Sequence, residues 1–148
     1  TLVGPKGRLE GVRLIGPPRA HDQIEVSRSD EFTLGVDAPV RLSGDLHDSP
    51  GIVIEGPRGR VQLSSGVICA RRHVHLNVAE AARLGVADGD RVSVRVPGGD
   101  RHLVFEDVHL RVAGDFALEL HLDTDEANAA GVCSGDSVEL LLGHERRG

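Results

Sequence analysis

The sequence predicts a mainly β fold built as two small β-barrels with short capping helices. Three observations carry that prediction: a thrice-repeated strand-and-helix pattern, paired Pro-Gly hairpin turns, and an apolar set dominated by Val and Leu. The chain has 148 residues, enough for one ordinary domain or two very small ones. Its 19 glycines and three phenylalanines, with no Trp or Tyr, favour many short strands joined by tight turns over a large aromatic core.

The repeat defines the elements. Gln23-Ile24-Glu25-Val26-Ser27 is followed by Leu34-Gly35-Val36, His73-Val74-His75-Leu76-Asn77 by Leu84-Gly85-Val86, and Glu119-Leu120-His121-Leu122-Asp123 by Ala130-Gly131-Val132. Glu25, His75 and His121 each stand ten residues before the glycine. The period-two alternation of Ala117, Glu119 and His121 against Leu118, Leu120 and Leu122 predicts a half-buried strand. Ser27, Asn77 and Asp123 then stand where an N-cap belongs. Asp30, Glu80 and Glu126 follow three residues later as a capping box requires, Asp30 being the weaker version. A helix of about two turns should end at each glycine, the residue type that best tolerates a helix-terminating left-handed conformation.

Beyond the helices, Gly89-Asp90 and Gly135-Asp136 predict turns into strands over 91–96 and 137–142. Pro39 and the insertion through Gly44-Asp45 lengthen the exit of the first copy. A second duplication, Gly4-Pro5-Lys6-Gly7 and Gly56-Pro57-Arg58-Gly59, reads as two hairpin turns, and Val96-Pro97-Gly98-Gly99-Asp100 as a third. The boundary between the barrels is expected near residue 70, giving domains 1–70 and 71–148.

Composition excludes several classes. A net charge of −6 argues against a nucleic-acid surface, which is normally basic. No apolar run approaches the roughly 18 residues of a membrane span, and no signal peptide is visible. Two cysteines do not make a disulfide framework and fit a reducing cytoplasm. The chain contains no Met and opens inside a strand-and-turn run, Thr1-Leu2-Val3-Gly4-Pro5, as expected of a chain whose natural N-terminus lies upstream.

The aligned strand ends carry metal-ligand types. Glu25, His75 and His121 occupy equivalent positions, and His73 shares one strand face with His75. Imidazole and carboxylate suit Zn²⁺, and related repeats would bring these side chains together where the barrels meet. Cys69 is read as a small buried thiol in a strand rather than as a fifth ligand. His21, His47, His102, His109 and His144 are read as scattered surface residues. The Gly-Pro-Lys-Gly and Gly-Pro-Arg-Gly turns lack the strand–loop–helix context of a phosphate loop, and no serine sits in a Gly-x-Ser-x-Gly elbow.

The chain resembles a known family. The matching stretches are Val12-Arg13-Leu14-Ile15-Gly16-Pro17, Gln23 to Ser27, Ala38-Pro39-Val40-Arg41-Leu42-Ser43-Gly44-Asp45, Pro50-Gly51, Ala70-Arg71-Arg72-His73-Val74-His75-Leu76, and His121 through Gly131. In this order they resemble the phosphate propanoyltransferases, or PduL-type phosphotransacylases. The resemblance implies two β-barrels with a dinuclear zinc site between them. It implies reversible transfer of a short acyl group from acyl-CoA to phosphate, giving acyl phosphate and CoA. Carried over, the zinc ligands fall on Glu25, His73, His75 and His121, and Arg19 becomes the phosphate-contacting arginine.

Coenzyme A is then a substrate. The site is expected to polarise the thioester while phosphate attacks directly, without an acyl-enzyme. The resemblance also implies a place in a bacterial microcompartment lumen, among shell or lumen proteins and in propanediol degradation. A homodimer is expected from exposed strand edges. The family's upstream Arg-His-x-His segment, a fourth repeat copy with two further ligands, does not occur in this chain, so depletion of one or both metals is expected. The rival reading is a non-catalytic barrel module binding a metal, cofactor or protein partner, because Leu84 to Val92 also resembles the turn of double-psi barrels.

Overall fold

The computed structural model describes residues 1–16, 18–97 and 99–142; His144, and Pro17 and Gly98 of the expected turns, lie outside the described residues. The fold is mainly β with three short helices. The chain forms two compact units, Thr1–Ala70 and Arg71–Gly148.

The first unit contains β1 (Leu2–Val3), β2 (Arg8–Leu9), β3 (Ile24–Glu25), α1 (Arg28–Leu34), β4 (Val40–Arg41), β5 (Ile52–Gly56), β6 (Gly59–Leu63) and β7 (Val67–Ala70). One antiparallel sheet has the order β2-β1-β5-β6, and a parallel sheet has the order β3-β7-β4. Both Pro-Gly turns are hairpins: the Gly4 N–H donates to Gly7 O at 2.9 Å, and Gly56 pairs with Gly59. Gly4 also lets two backbones meet, since a Cβ there would lie 2.2 Å from Leu34 O. Leu2, Ile24, Leu34 and Val67 anchor the core of this unit.

The second unit contains β8 (His73–Leu76), α2 (Val78–Leu84), β9 (Arg91–Val96), β10 (Leu103–Val112), β11 (Glu119–His121), α3 (Thr124–Ala130) and β12 (Glu139–Leu141). They form one sheet in the order β11-β8-β10-β9-β12, with β8 and β10 parallel and the other pairs antiparallel. Val74, Leu110 and Val94, from the three central strands, fill its core.

The repeat holds down to individual hydrogen bonds. Ser27, Asn77 and Asp123 each close a capping box with Asp30, Glu80 and Glu126, so Asp30 performs as well as the two glutamates. Gly35, Gly85 and Gly131 end the three helices at φ 74°, 68° and 67°. The turns after α2 and α3 match too: the Ala87 and Cys133 N–H groups donate to the carboxylates of Asp90 and Asp136, both at 2.8 Å.

The strands are shorter than the alternation predicts. The 23–27 segment holds only β3, because Ser27 turns away to cap α1, although the Val26 N–H still donates to Ile68 O at 3.0 Å. The strand expected over 137–142 is confined to β12.

Candidate metal centre

Strand geometry assembles the centre. On β8, His73 and His75 are two residues apart and emerge from one face, while Val74 and Leu76 turn into the core. β11 runs antiparallel beside them with His121 opposite His73 and Glu119 opposite His75. Residues opposite or diagonal across such a ladder are neighbours on the same face. The His73 and His121 rings stack at 4.8 Å between centroids, and His75 lies 4.8 Å from His73 and 4.3 Å from His121. One ligand atom from each of the three lies within 4.8 Å of the others.

The ring nitrogens are arranged for coordination. The His73 Nδ1–H donates to Arg71 O at 2.9 Å, and that tautomer leaves the lone pair on Nε2. The Nε2 atoms of His75 and His121 are buried with no hydrogen-bond partner among the described residues. A buried polar atom without a partner is costly, and a metal ion would remove that cost. The Glu119 carboxylate stands 3.6 Å from His121 Nε2, longer than a hydrogen bond. His75 has its pKa lowered to about 4, first by burial and then by the positive charge His121, His73 and Arg111 would oppose to it. Its imidazole is therefore neutral at pH 7, the form a metal takes. Nitrogens around a tetrahedral Zn²⁺ lie about 3.3 Å apart, so small side-chain rotations close this set onto one ion. The donors fit zinc.

Further side chains frame the three histidines. Phe116 stacks on His75 with centroids 3.8 Å apart, and the Arg111 guanidinium lies 5.9 Å from the centre of the Phe116 ring. On β10, His109 is opposite His73 and Arg111 is opposite His75. His109 corrects the expectation of a scattered surface residue: it is buried, with Nε2 unpartnered among the described residues. Its strand partner is distant in sequence, so nothing local announced its burial. Burial, then Arg91 and Arg71, push its pKa down, against the opposing pull of Asp107. His21, His47 and His102 are exposed as expected.

Glu25 and Arg19 belong to the first unit and take part in a different set of contacts. Gln23 Nε2 donates to Glu25 Oε1 at 2.6 Å and to Ser43 Oγ at 2.9 Å, and Arg19 donates to the same Ser43 Oγ at 3.2 Å. Both side chains are exposed. Cys69 is a buried thiol in β7, as the sequence suggested. Glu119 and Arg111 were not singled out from the sequence. Glu119 could have been, since it stands two residues before His121 as His73 does before His75.

Among the described residues, no helix is long and apolar enough to cross a membrane. The model of the phosphate propanoyltransferase family matches residues 1–133. A phosphate propanoyltransferase of Thermotoga maritima is 55% identical over 141 residues, covering 95% of this chain and 67% of that protein. Those of Escherichia fergusonii and Salmonella typhimurium are 53% and 50% identical, covering 96% and 97% of this chain and 68% of each relative. The chain thus spans about two thirds of the length of these relatives. With a match across nine tenths of its residues and identity near one half, the chain belongs to the phosphate propanoyltransferase family.

Proposed function

We propose that the chain is a phosphate acyltransferase, an enzyme that moves a short, propanoyl-like acyl group reversibly between coenzyme A and phosphate. The names of its relatives support the reaction class. One observation supports its chemistry: three facing histidines, two with buried ring nitrogens that lack a partner. In this reading His73, His75 and His121 hold Zn²⁺, which supplies Lewis-acid stabilisation of charge on a thioester oxygen. Glu25 serves as a carboxylate ligand and Arg19 as a phosphate contact, roles carried by the family resemblance. The reading extends to two barrels divided at residue 70, a homodimer and a microcompartment lumen.

The protein's part in the reaction is to bind and orient. A phosphate oxygen forms a bond to the acyl carbon, the carbon–sulfur bond breaks, and the CoA thiolate leaves to take up a proton. Phosphate bound beside the carbonyl needs no covalent help, because proximity alone can replace a large part of the barrier. Cys69 is buried in β7, a poor place for an attacking thiolate.

The test is coenzyme A release from propanoyl-CoA, with and without phosphate, alongside the zinc content of the purified chain. Phosphate-dependent release with bound zinc, and loss of both in His75→Ala and His121→Ala, is the expected result. An acyl group trapped on Cys69 or Cys133 would overturn direct attack. Zinc-free protein without phosphate-dependent release would leave the non-catalytic barrel module.

A further inference from the structure

The face of the second unit's sheet that carries the three histidines also carries arginines, and they differ in one respect. Arg91, opposite His109 on β9, and Arg71, two residues before His73, both meet Asp107, at 2.7 and 2.9 Å. Arg111 meets no carboxylate among the described residues. It is half-buried, opposite His75 on the neighbouring parallel strand, so both side chains leave the sheet on the same face. Its guanidinium is steered by an aromatic ring instead of a counter-ion, lying 5.9 Å from the centroid of the Phe116 ring that stacks on His75. Its charge reaches His75.

We infer that Arg111 binds the phosphate substrate, holding its oxygens beside the His73, His75 and His121 cluster; this rests on the acyltransferase reading above. A dication held by those imidazoles would face the like charge of a half-buried guanidinium on the same face of the sheet. An oxyanion resolves that conflict by pairing with both. Guanidinium suits the task because its planar donors match two phosphate oxygens at once. Glu119 lies on the far side of β8 and the exposed Asp115 also acts on His75, so Arg111 is the group that draws an anion to the cluster. Zinc and phosphate should therefore bind with mutual reinforcement, and Arg111 should carry part of that coupling.

The ligand chemistry is a phosphate group, which inorganic phosphate and coenzyme A both possess, so the test separates the two. The full chain, wild type and with Arg111→Ala or Arg111→Lys, is titrated with inorganic phosphate and separately with coenzyme A, with and without saturating zinc. Zinc affinity is measured by chelator competition, and thermal melting identifies any variant that does not fold. The expected result is at least a tenfold loss of phosphate affinity in Arg111→Ala, partial recovery in Arg111→Lys, and coenzyme A affinity within twofold of wild type. Zinc affinity without phosphate should be tighter in Arg111→Ala, a direction that mere loss of packing would not give.

Phosphate affinity within twofold of wild type in Arg111→Ala overturns the inference. So does a loss confined to coenzyme A, or wild-type protein that binds no phosphate. If Arg111→Ala fails to fold, the folded Arg111→Lys decides: an unchanged phosphate affinity overturns the inference, and a reduced one with unchanged zinc affinity supports it. Phosphate that binds through Arg111 without supporting coenzyme A release would sink the acyltransferase reading and leave this one standing.

Discussion

At His73 one ring nitrogen is already committed, and that commitment determines what the other can do. Donation from Nδ1 to Arg71 O leaves Nε2 basic, while the Nε2 atoms of His75 and His121 have no partner among the described residues. His75 is the residue whose protonation the fold resists most clearly, and a pH dependence follows. Its folded pKa of about 4 lies below the ordinary 6.5, so between those values the unfolded chain binds the extra proton. Its contribution is fully present above pH 6.5 and is lost as pH falls through about 4. His109 acts in the same direction. In metal-free buffer, wild-type stability measured by urea unfolding should decline from pH 6.5 to 4, and His75→Gln should make that slope shallower. An equal slope in the variant would mean that burial at 75 does not oppose charging.

The secondary elements show why so much was legible and where legibility stopped. The helices were readable because their signals lie within a dozen residues: a cap, an acidic residue three positions on, and a terminating glycine. The same locality gives a test. Asn77→Ala removes the acceptor for the Glu80 N–H and should cost about 1 kcal/mol in urea unfolding, while Asn77→Asp should retain most of it. His73 and His75 were readable because alternation on one strand puts them on one face. His109, Arg111 and Glu119 were not, since their places depend on which strands become neighbours. Hydrogen bonding of β8 to both β10 and β11 brings residues more than thirty positions apart side by side. The expected strand over 23–27 also shrank, because a capping residue cannot continue a ladder.

For the molecule as a whole, composition anticipated the mainly β fold through what it lacks. With three Phe and no Trp or Tyr, the interior is filled by branched aliphatics on short strands, and each compact unit has its own cluster. Such cores leave little slack. Leu110 is 1% exposed on β10, between His109 and Arg111 but facing the opposite way. Leu110→Ala should lower unfolding stability by about 2–5 kcal/mol. If the rest of β10 holds its place, zinc affinity should change far less than in His121→Ala. A comparable loss of zinc affinity would show instead that the interior packing sets the spacing of the histidines.

The thrice-used cap-and-glycine frame has an engineering consequence. It behaves as a socket, with position 25, 75 or 121 as the plug, and the bonds that shape the socket belong to other residues. Copying the socket along a gene also copies that open position. One codon then selects carboxylate or imidazole in that slot, and the capping bonds need not be rebuilt.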